Sequence, residues 1–294
     1  MVKEKKSNWI KFGSIFAILI MVGSATVGVV MLTGLGGDSN KAKAYPFSDI
    51  PGKHTNFTFT NIKDGAKYLP EGVAQISCIA TNTTINTSLN SAFPGADSSV
   101  VMVAYYPTGR LEYYQTKTED NVSIMTNGKP TTEDYEGYSI IYAGPAQRIM
   151  VGSPIIIASL SNYANDSSLA RRAVDVFTGL SEGSKDFAPI LAYVDNVSNF
   201  EEMTVSKASA SAGYSMLYQR SSAFSSGTFQ METVVYGPND DMRADIKEMA
   251  AEDSTTFTVS EDESMIKLYI ETTDQLEYMM AANGLYGILN QYST

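Results

Sequence analysis

Residues 99–116 read SVVMVAYYPTGRLEYYQT. Two runs rich in Val, Leu and Tyr flank Pro107-Thr108-Gly109, a turn suited to reversing the chain. β-Branched and aromatic residues favour a pleated sheet, so the stretch predicts an antiparallel hairpin.

Runs of similar chemistry recur outward from it. Strands are expected within residues 56–62, 73–81, 138–144, 148–153, 155–159, 190–196, 213–221, 228–237, 255–261 and 265–272, most bounded by Gly, Pro, Asn or Ser. Three helices interleave. In 165–180 the residues Leu169, Ala173, Val176, Phe177 and Leu180 share one helical face, and Arg171 and Asp175 sit at pairing distance on the outside. In 239–253 Met242, Ile246, Met249 and Ala250 form a stripe behind an Asn239 cap. The third helix, 274–289, is weakened by Gly284 and Gly287.

This order predicts an α+β fold, an antiparallel sheet with helices on one face. Two similar halves are expected, 67–184 and 185–294. Residues 100–109 resemble 231–240, and 67–82 resemble 185–199, at an offset of roughly 110–130 residues.

Residues 12–37, FGSIFAILIMVGSATVGVVMLTGLGG, carry no charge. A spanning helix needs about 20 apolar residues, whereas a signal-peptide core has about 7–15. The run therefore predicts a retained transmembrane anchor. Lys3, Lys5, Lys6 and Lys11 against Glu4 place the basic tail 1–11 in the cytoplasm and the rest outside. Residues 38–66, with Pro46, Pro51 and Gly52, read as a juxtamembrane linker. The best small-residue cleavage site, Ala42-Lys43-Ala44, lies beyond the run, which disfavours removal.

The chain carries 21 Lys and Arg against 32 Asp and Glu. Six of those bases and two of those acids precede Tyr45, so the remainder has a net charge of −15. Such a surface repels nucleic acid and anionic lipid. The single cysteine, Cys78, sits in the apolar run AQISCIA and reads as a buried hydrophobe. A chain outside the cell without disulfides points to a prokaryotic surface, with an archaeal leaning from the acidity and the glycosylation sequons. Those sequons are Asn56, Asn82, Asn86, Asn121, Asn165 and Asn196.

Catalytic equipment is sparse. His54 is the only histidine and lies in the expected linker, away from any nucleophile. One His and one Cys do not make a zinc site. Phosphate-cradle, dinucleotide, nucleophile-elbow and metalloprotease patterns are lacking. Asp240 and Asp241 suit a helix start, and Glu261-Asp262-Glu263 a hairpin turn; neither cluster has the spacing of a cation loop. No cofactor and no metal ligand is expected. Two acidic pairs, Glu133-Asp134 and Glu201-Glu202, are the residues on which a glycoside hydrolase would depend. The Tyr pairs 105–106 and 113–114, with Tyr135, Tyr138 and Tyr142, suit cross-strand pairing, and secondarily a sugar or protein partner.

The expected protein is a single-pass, surface-exposed, non-enzymatic chain. Its partners would be the membrane, through 12–37, and an envelope protein or glycan, not nucleic acid. The first alternative is a carboxylate-based envelope hydrolase, with a deep pocket lined by two or more acids. A lower alternative rests on KFGSIFAILIMVGSATVGVV, which resembles the apolar amino-terminal helix of archaeal pilins over about 20 residues. That resemblance implies a filament subunit processed at Gly13, although the run lacks an early acid and the folded part is large.

Overall fold

In a computed structural model the opening stretch forms β4 (Ser98–Tyr106) and β5 (Gly109–Thr116), paired antiparallel. Glycine is required at 109: its φ is +158°, and a side chain there would collide with the Ser159 carbonyl of a neighbouring strand. The structure describes residues 42–161, 167–224, 226–252 and 257–293. The expected anchor 12–37 and tail 1–11 lie outside them. Among the described residues no helix is long and apolar enough to cross a membrane.

The hairpin sits inside a twelve-stranded sheet. Its strands are β3 (Gln75–Ala80), β4, β5, β7 (Thr132–Tyr135), β8 (Tyr138–Tyr142), β9 (Gln147–Met150), β11 (Ile155–Leu160), β12 (Glu202–Lys207), β13 (Met216–Ala223), β14 (Phe229–Tyr236), β15 (Phe257–Glu261) and β16 (Met265–Thr272). Their order is β15-β16-β14-β13-β12-β3-β4-β5-β11-β9-β8-β7, and each neighbouring pair is antiparallel. Two small ribbons stand apart. One pairs β1 (Lys43–Pro46) with β6 (Ser123–Thr126), the other β2 (Thr55–Asn56) with β10 (Gly152–Ser153).

Register fixes which residues share a face, because strand side chains alternate. Ala104, Ile76, Val205, Tyr218 and Val234 pair in sequence across five strands and lie in one core. This first face is covered by α1 (Ile62–Gly65), α3 (Ser168–Phe177) and α4 (Ala188–Leu191). The second face carries two separate cores. Val101, Val103, Tyr114 and Ile157 pack beneath α2 (Thr83–Ala92) and the β1–β6 ribbon. Val235, Leu268 and Ile270 pack beneath α5 (Asp240–Glu252) and α6 (Gln275–Gln291).

Helices thus cover both faces, not the one face expected. The reason is visible in β4, whose Val100–Ala104 are all buried. A strand buried on both sides reads as a continuous apolar run instead of an alternation.

Other expectations need correction. Within the expected linker 38–66, residues from Lys43 onward are built into the fold. Phe47, Ile50, Phe59 and Ile62 are core residues, and the Asn61 side chain caps α1 by accepting from the Asp64 amide at 3.0 Å. The strand expected at 190–196 is the short helix α4, with Pro189 in its first turn. The strand β12 and the helix α2 have no counterpart among the expected elements. α2 is built from Thr, Asn and Ser, weak helix formers. It forms because Asn82 caps it and Leu89 and Ala92 reach the core. α3 ends at Phe177, so Leu180 is exposed rather than on its apolar face. Arg171 and Asp175 do not pair with each other: Arg171 binds Glu133, and Asp175 accepts from the Tyr135 hydroxyl.

The strand order does repeat, though not in the alignment expected from sequence. From the centre outward, β3-β4-β5-β11-β9 matches β12-β13-β14-β16-β15. A helical turn precedes each set, α1 before β3 and α4 before β12. The equivalent of 75–80 is therefore 202–207, not part of 185–199. The closing helices differ: α3 lies on the first face and α6 on the second.

Candidate functional site: a polar stripe on the second face

Between the two cores of the second face, the central strands carry polar side chains. Gln75 and Ser77 come from β3, Glu202, Thr204 and Ser206 from β12, and Gln219 and Ser221 from β13. Register places them side by side: Ser77 opposite Thr204, Thr204 opposite Gln219, Gln75 opposite Ser206, and Glu202 opposite Ser221. Opposed residues on one face have Cβ atoms about 4.5–5.5 Å apart, so the group is contiguous. Ser77 is buried and the others are half-buried.

Aromatic side chains border the stripe. Tyr278 and Tyr286 descend from α6 on one side, and Tyr105 of β4 lies on the other. Burial pushes the Glu202 carboxyl above the usual carboxylate range, against a hydrogen bond with Ser77. Burial likewise raises Tyr286, with the Glu202 charge adding and a hydrogen bond with Gln219 opposing. Tyr278 is pushed up to about 12 by burial, by Tyr286 and by Glu201. Tyr105 is raised by burial and by the charges of Glu112 and Glu202, with Arg110 opposing.

The stripe continues into a row of polar groups across the amino-terminal half. Gln75, Tyr105, Arg110, Ser159 and Gln147 are successive cross-strand partners on β3, β4, β5, β11 and β9. The Tyr105 hydroxyl, Arg110 Nη2, the Ser159 hydroxyl and both carboxamide atoms of Gln147 are buried without a hydrogen-bond partner among the described residues. Leaving such groups unpaired is costly, and four neighbours sharing the condition is unusual. Beside them Glu112 is fully buried. Its Oε1 accepts from Arg110 Nε at 2.7 Å and its Oε2 from the Tyr114 hydroxyl at 2.8 Å. Burial raises the Glu112 carboxyl even so.

The residues singled out from sequence are dispersed. Of the acidic pairs, Glu202 belongs to the stripe, and Glu201 is exposed just before β12. Glu133 accepts from Arg171, Tyr142 and Ser167, and these bonds outweigh its burial and lower its carboxyl. Glu112 and Glu202 stand three strands apart, about 14 Å at the usual strand spacing. Paired glycosidase carboxyls lie within about 9.5 Å. His54 contacts Glu119 at 3.0 Å and the Ile50 carbonyl at 3.3 Å. Cys78 is buried in the first-face core, which drives its thiol far above its ordinary range. Asn239 caps α5 as expected, with Asp240 and Asp241 in the first turn. Glu261 pairs with Arg243 and Lys247, and Asp262 accepts from the amides of Ser264 and Met265. Among the described residues no three His, Cys, Asp or Glu gather as a metal site.

Sequons Asn56, Asn82, Asn121 and Asn196 are exposed. The Asn86 carboxamide is committed on both sides, donating to Asp97 and the Ser98 carbonyl and accepting from the Ser98 amide. Asn165 lies outside the described residues.

Two hollows stand out elsewhere. One of about 300 Å³ is lined by Lys63, Ala66, Ile76, Phe187 and Leu191, among others, and one of about 430 Å³ by the loops 208–215 and 237–239. Neither has an acid in its lining.

Sequence reasoning missed Ser77, Gln219, Arg110, Glu112 and Gln147. Their signal was a polar residue inside an otherwise apolar strand, as in AQISCIA, RLEYYQT and GYSMLYQRS. It can be read only once register shows that these residues share a face.

No family model and no curated protein matches this chain. Among the solved structures similar to this chain are crystal forms I and III of TP0453. They give TM-scores of 0.46 and 0.44 at 6% and 5% identity, covering 74% and 73% of this chain and 97% and 96% of theirs.

Proposed function

We propose that this is a single-pass membrane protein whose folded part, outside the cell, binds a polar envelope partner without catalysis. The observation that carries the binding role is the stripe with its adjoining row. The stripe offers half-buried hydroxyls and carboxamides bordered by tyrosines, and the adjoining row holds buried polar atoms with unmet hydrogen-bonding capacity. Hydroxyl-rich glycans are recognised by this combination of polar atoms and aromatic faces. The anchor rests on the uncharged run 12–37. The matching strand orders favour an origin by duplication of a five-stranded unit. Glycans on the protein itself would be carried by Asn56, Asn121 and Asn196, whose side chains are exposed.

Titrating the purified full chain in detergent with envelope polysaccharide fragments tests the reading. Binding should be saturable and be lost in Arg110→Ala and Gln219→Ala variants that keep the native circular dichroism. Robust turnover of glycosides or peptides by the same protein, abolished in Glu202→Gln, would establish the hydrolase instead. A mature chain beginning at Ser14 would favour the filament subunit.

A further inference from the structure

Four large apolar side chains are exposed among the described residues, and three belong to the first turns of α6: Leu276 at 66%, Met279 at 43% and Met280 at 67%. Their spacing, i, i+3 and i+4, puts them on one side of the helix. That side is opposite Ala281, Ala282, Leu285 and Leu289, which face the core. α6 is therefore apolar on both sides, which packing among the described residues does not explain.

The place where the chain enters the fold indicates what covers the outer side. β1 begins at Lys43 and belongs to the layer on the second face, with Phe47 and Ile50 in its core. α6 lies on the same face of the same sheet, over the second of its two cores and several strands away. The uncharged run ends at Gly37, so only residues 38–42 separate it from β1. Six extended steps reach about 20 Å at most. An anchor in the bilayer would therefore hold the second face close to the lipid surface.

We propose that the outer side of α6, through Leu276, Met279 and Met280, rests on the bilayer that holds the anchor. This rests on the anchored reading above. The net charge of −14 beyond the anchor disfavours anionic headgroups, so the contact is with neutral lipid through apolar side chains. It fixes the sheet with its second face toward the membrane and its first face outward.

The test uses the full chain reconstituted in phosphatidylcholine vesicles, carrying Met280→Cys labelled with an environment-sensitive fluorophore. Cys78 is buried and leaves the label specific. The control carries the same label at Glu182→Cys, an exposed site after α3. With a quencher on the lipid chains, the 280 label should lose most of its emission and the 182 label should not. Vesicle flotation is read first. A chain that does not float sinks the anchored reading and the contact with it. A chain that floats with both labels equally unquenched overturns the contact alone. A 280 label that is shielded in proportion to protein density, and not by lipid, marks a second copy of the chain as the occupant and also overturns it. Leu276→Ser with Met280→Ser should leave flotation unchanged and restore hydrogen exchange along the start of α6.

Discussion

The two halves of the sheet share a strand order and differ in what covers their first face. One cross-strand row crosses both. In the amino-terminal half it reads Met150, Ile156, Tyr113, Met102 and Cys78, all fully buried under α1 and α3. In the other half the row continues as Met203, Arg220, Glu232 and Tyr269. There Glu232 Oε2 lies 3.0 Å from Arg220 Nε, and Lys267 Nζ bridges Glu232 Oε1 at 2.6 Å and Asp195 at 3.1 Å. The closing helix explains the contrast. α3 returns over the first face, whereas α6 returns over the second, so the first face of the second half is left to the short α4 and carries ionic groups, Arg220 and Glu232, that are buried all the same. The same topology tolerates opposite strand chemistry, and the covering element decides which.

The largest test of that contrast compares two tyrosines of the row. Tyr113 is fully buried and its hydroxyl donates to the Tyr68 carbonyl at 3.1 Å. Tyr113→Ala should cost about 3–5 kcal/mol of stability in urea unfolding. Tyr269, half-buried and bonded to Glu271 at 2.6 Å, should cost under about 1 kcal/mol on the same change. Equal losses would show that α3 is not what makes the first half apolar.

A second comparison concerns the two buried Arg–Glu pairs. Glu112 has one cation, Arg110, while Glu232 has two, Arg220 and Lys267. Arg110→Met leaves a buried carboxylate with only the Tyr114 hydroxyl, a loss of about 3 kcal/mol. Arg220→Met should cost roughly half as much, because Lys267 remains. Adding Glu112→Leu to Arg110→Met should recover most of the loss. Recovery that fails would assign the pair a packing role beyond charge.

The hairpin at 99–116 was legible because its turn and strand chemistry are local. Eight of the ten strands expected outside the hairpin have counterparts for the same reason, with boundaries shifted by a few residues. α2 was hidden because Thr83–Ala92 has neither propensity nor periodicity and depends on the Asn82 cap and a distant core. Residues 190–196 look like a strand, but Pro189 and burial of Ile190 and Leu191 against the first face make a helical turn. The stripe was illegible for a further reason. Its members come from strands far apart in sequence, and only the pairing of β3 with β12 brings Ser77 beside Thr204.

The stripe and its neighbours also set a pH dependence. Glu112 and Glu202 both have carboxyls raised from 4.5 by burial, so the folded state takes up their protons more readily than the unfolded state. Stability should therefore fall as pH rises from 4.5 through the raised range and stay reduced above it. Glu202→Gln should raise stability at neutral pH and flatten this slope, and Glu112→Gln should do the same in the amino-terminal half. Asp186 acts in the opposite sense. Lys207, Ser184 and the amides of Gly72 and Val73 outweigh its burial and lower its carboxyl, so its contribution is lost as pH falls. A wild-type profile, from urea unfolding at each pH, that rises between 4.5 and neutrality would contradict the burial of both glutamates.

The smallest expected effects separate the covers of the second face. Asn82 caps α2 by accepting from the amides of Thr84 and Ile85, and Asp274 caps α6 by accepting from Leu276 and Glu277. Either Ala substitution should cost about 1 kcal/mol globally. Their local consequences should differ. α2 has ten residues of weak propensity and few core contacts, so Asn82→Ala should unprotect most of it in hydrogen exchange. α6 has seventeen residues and four buried apolar side chains, so Asp274→Ala should fray only its first turn. That turn carries Leu276, which makes the cap change a probe of the bilayer contact as well. In vesicles the proposed contact predicts less fraying, with lipid holding Leu276 and Met280 from outside. Fraying of the same extent in vesicles and in detergent-free solution of the folded part would leave α6 held by the sheet alone.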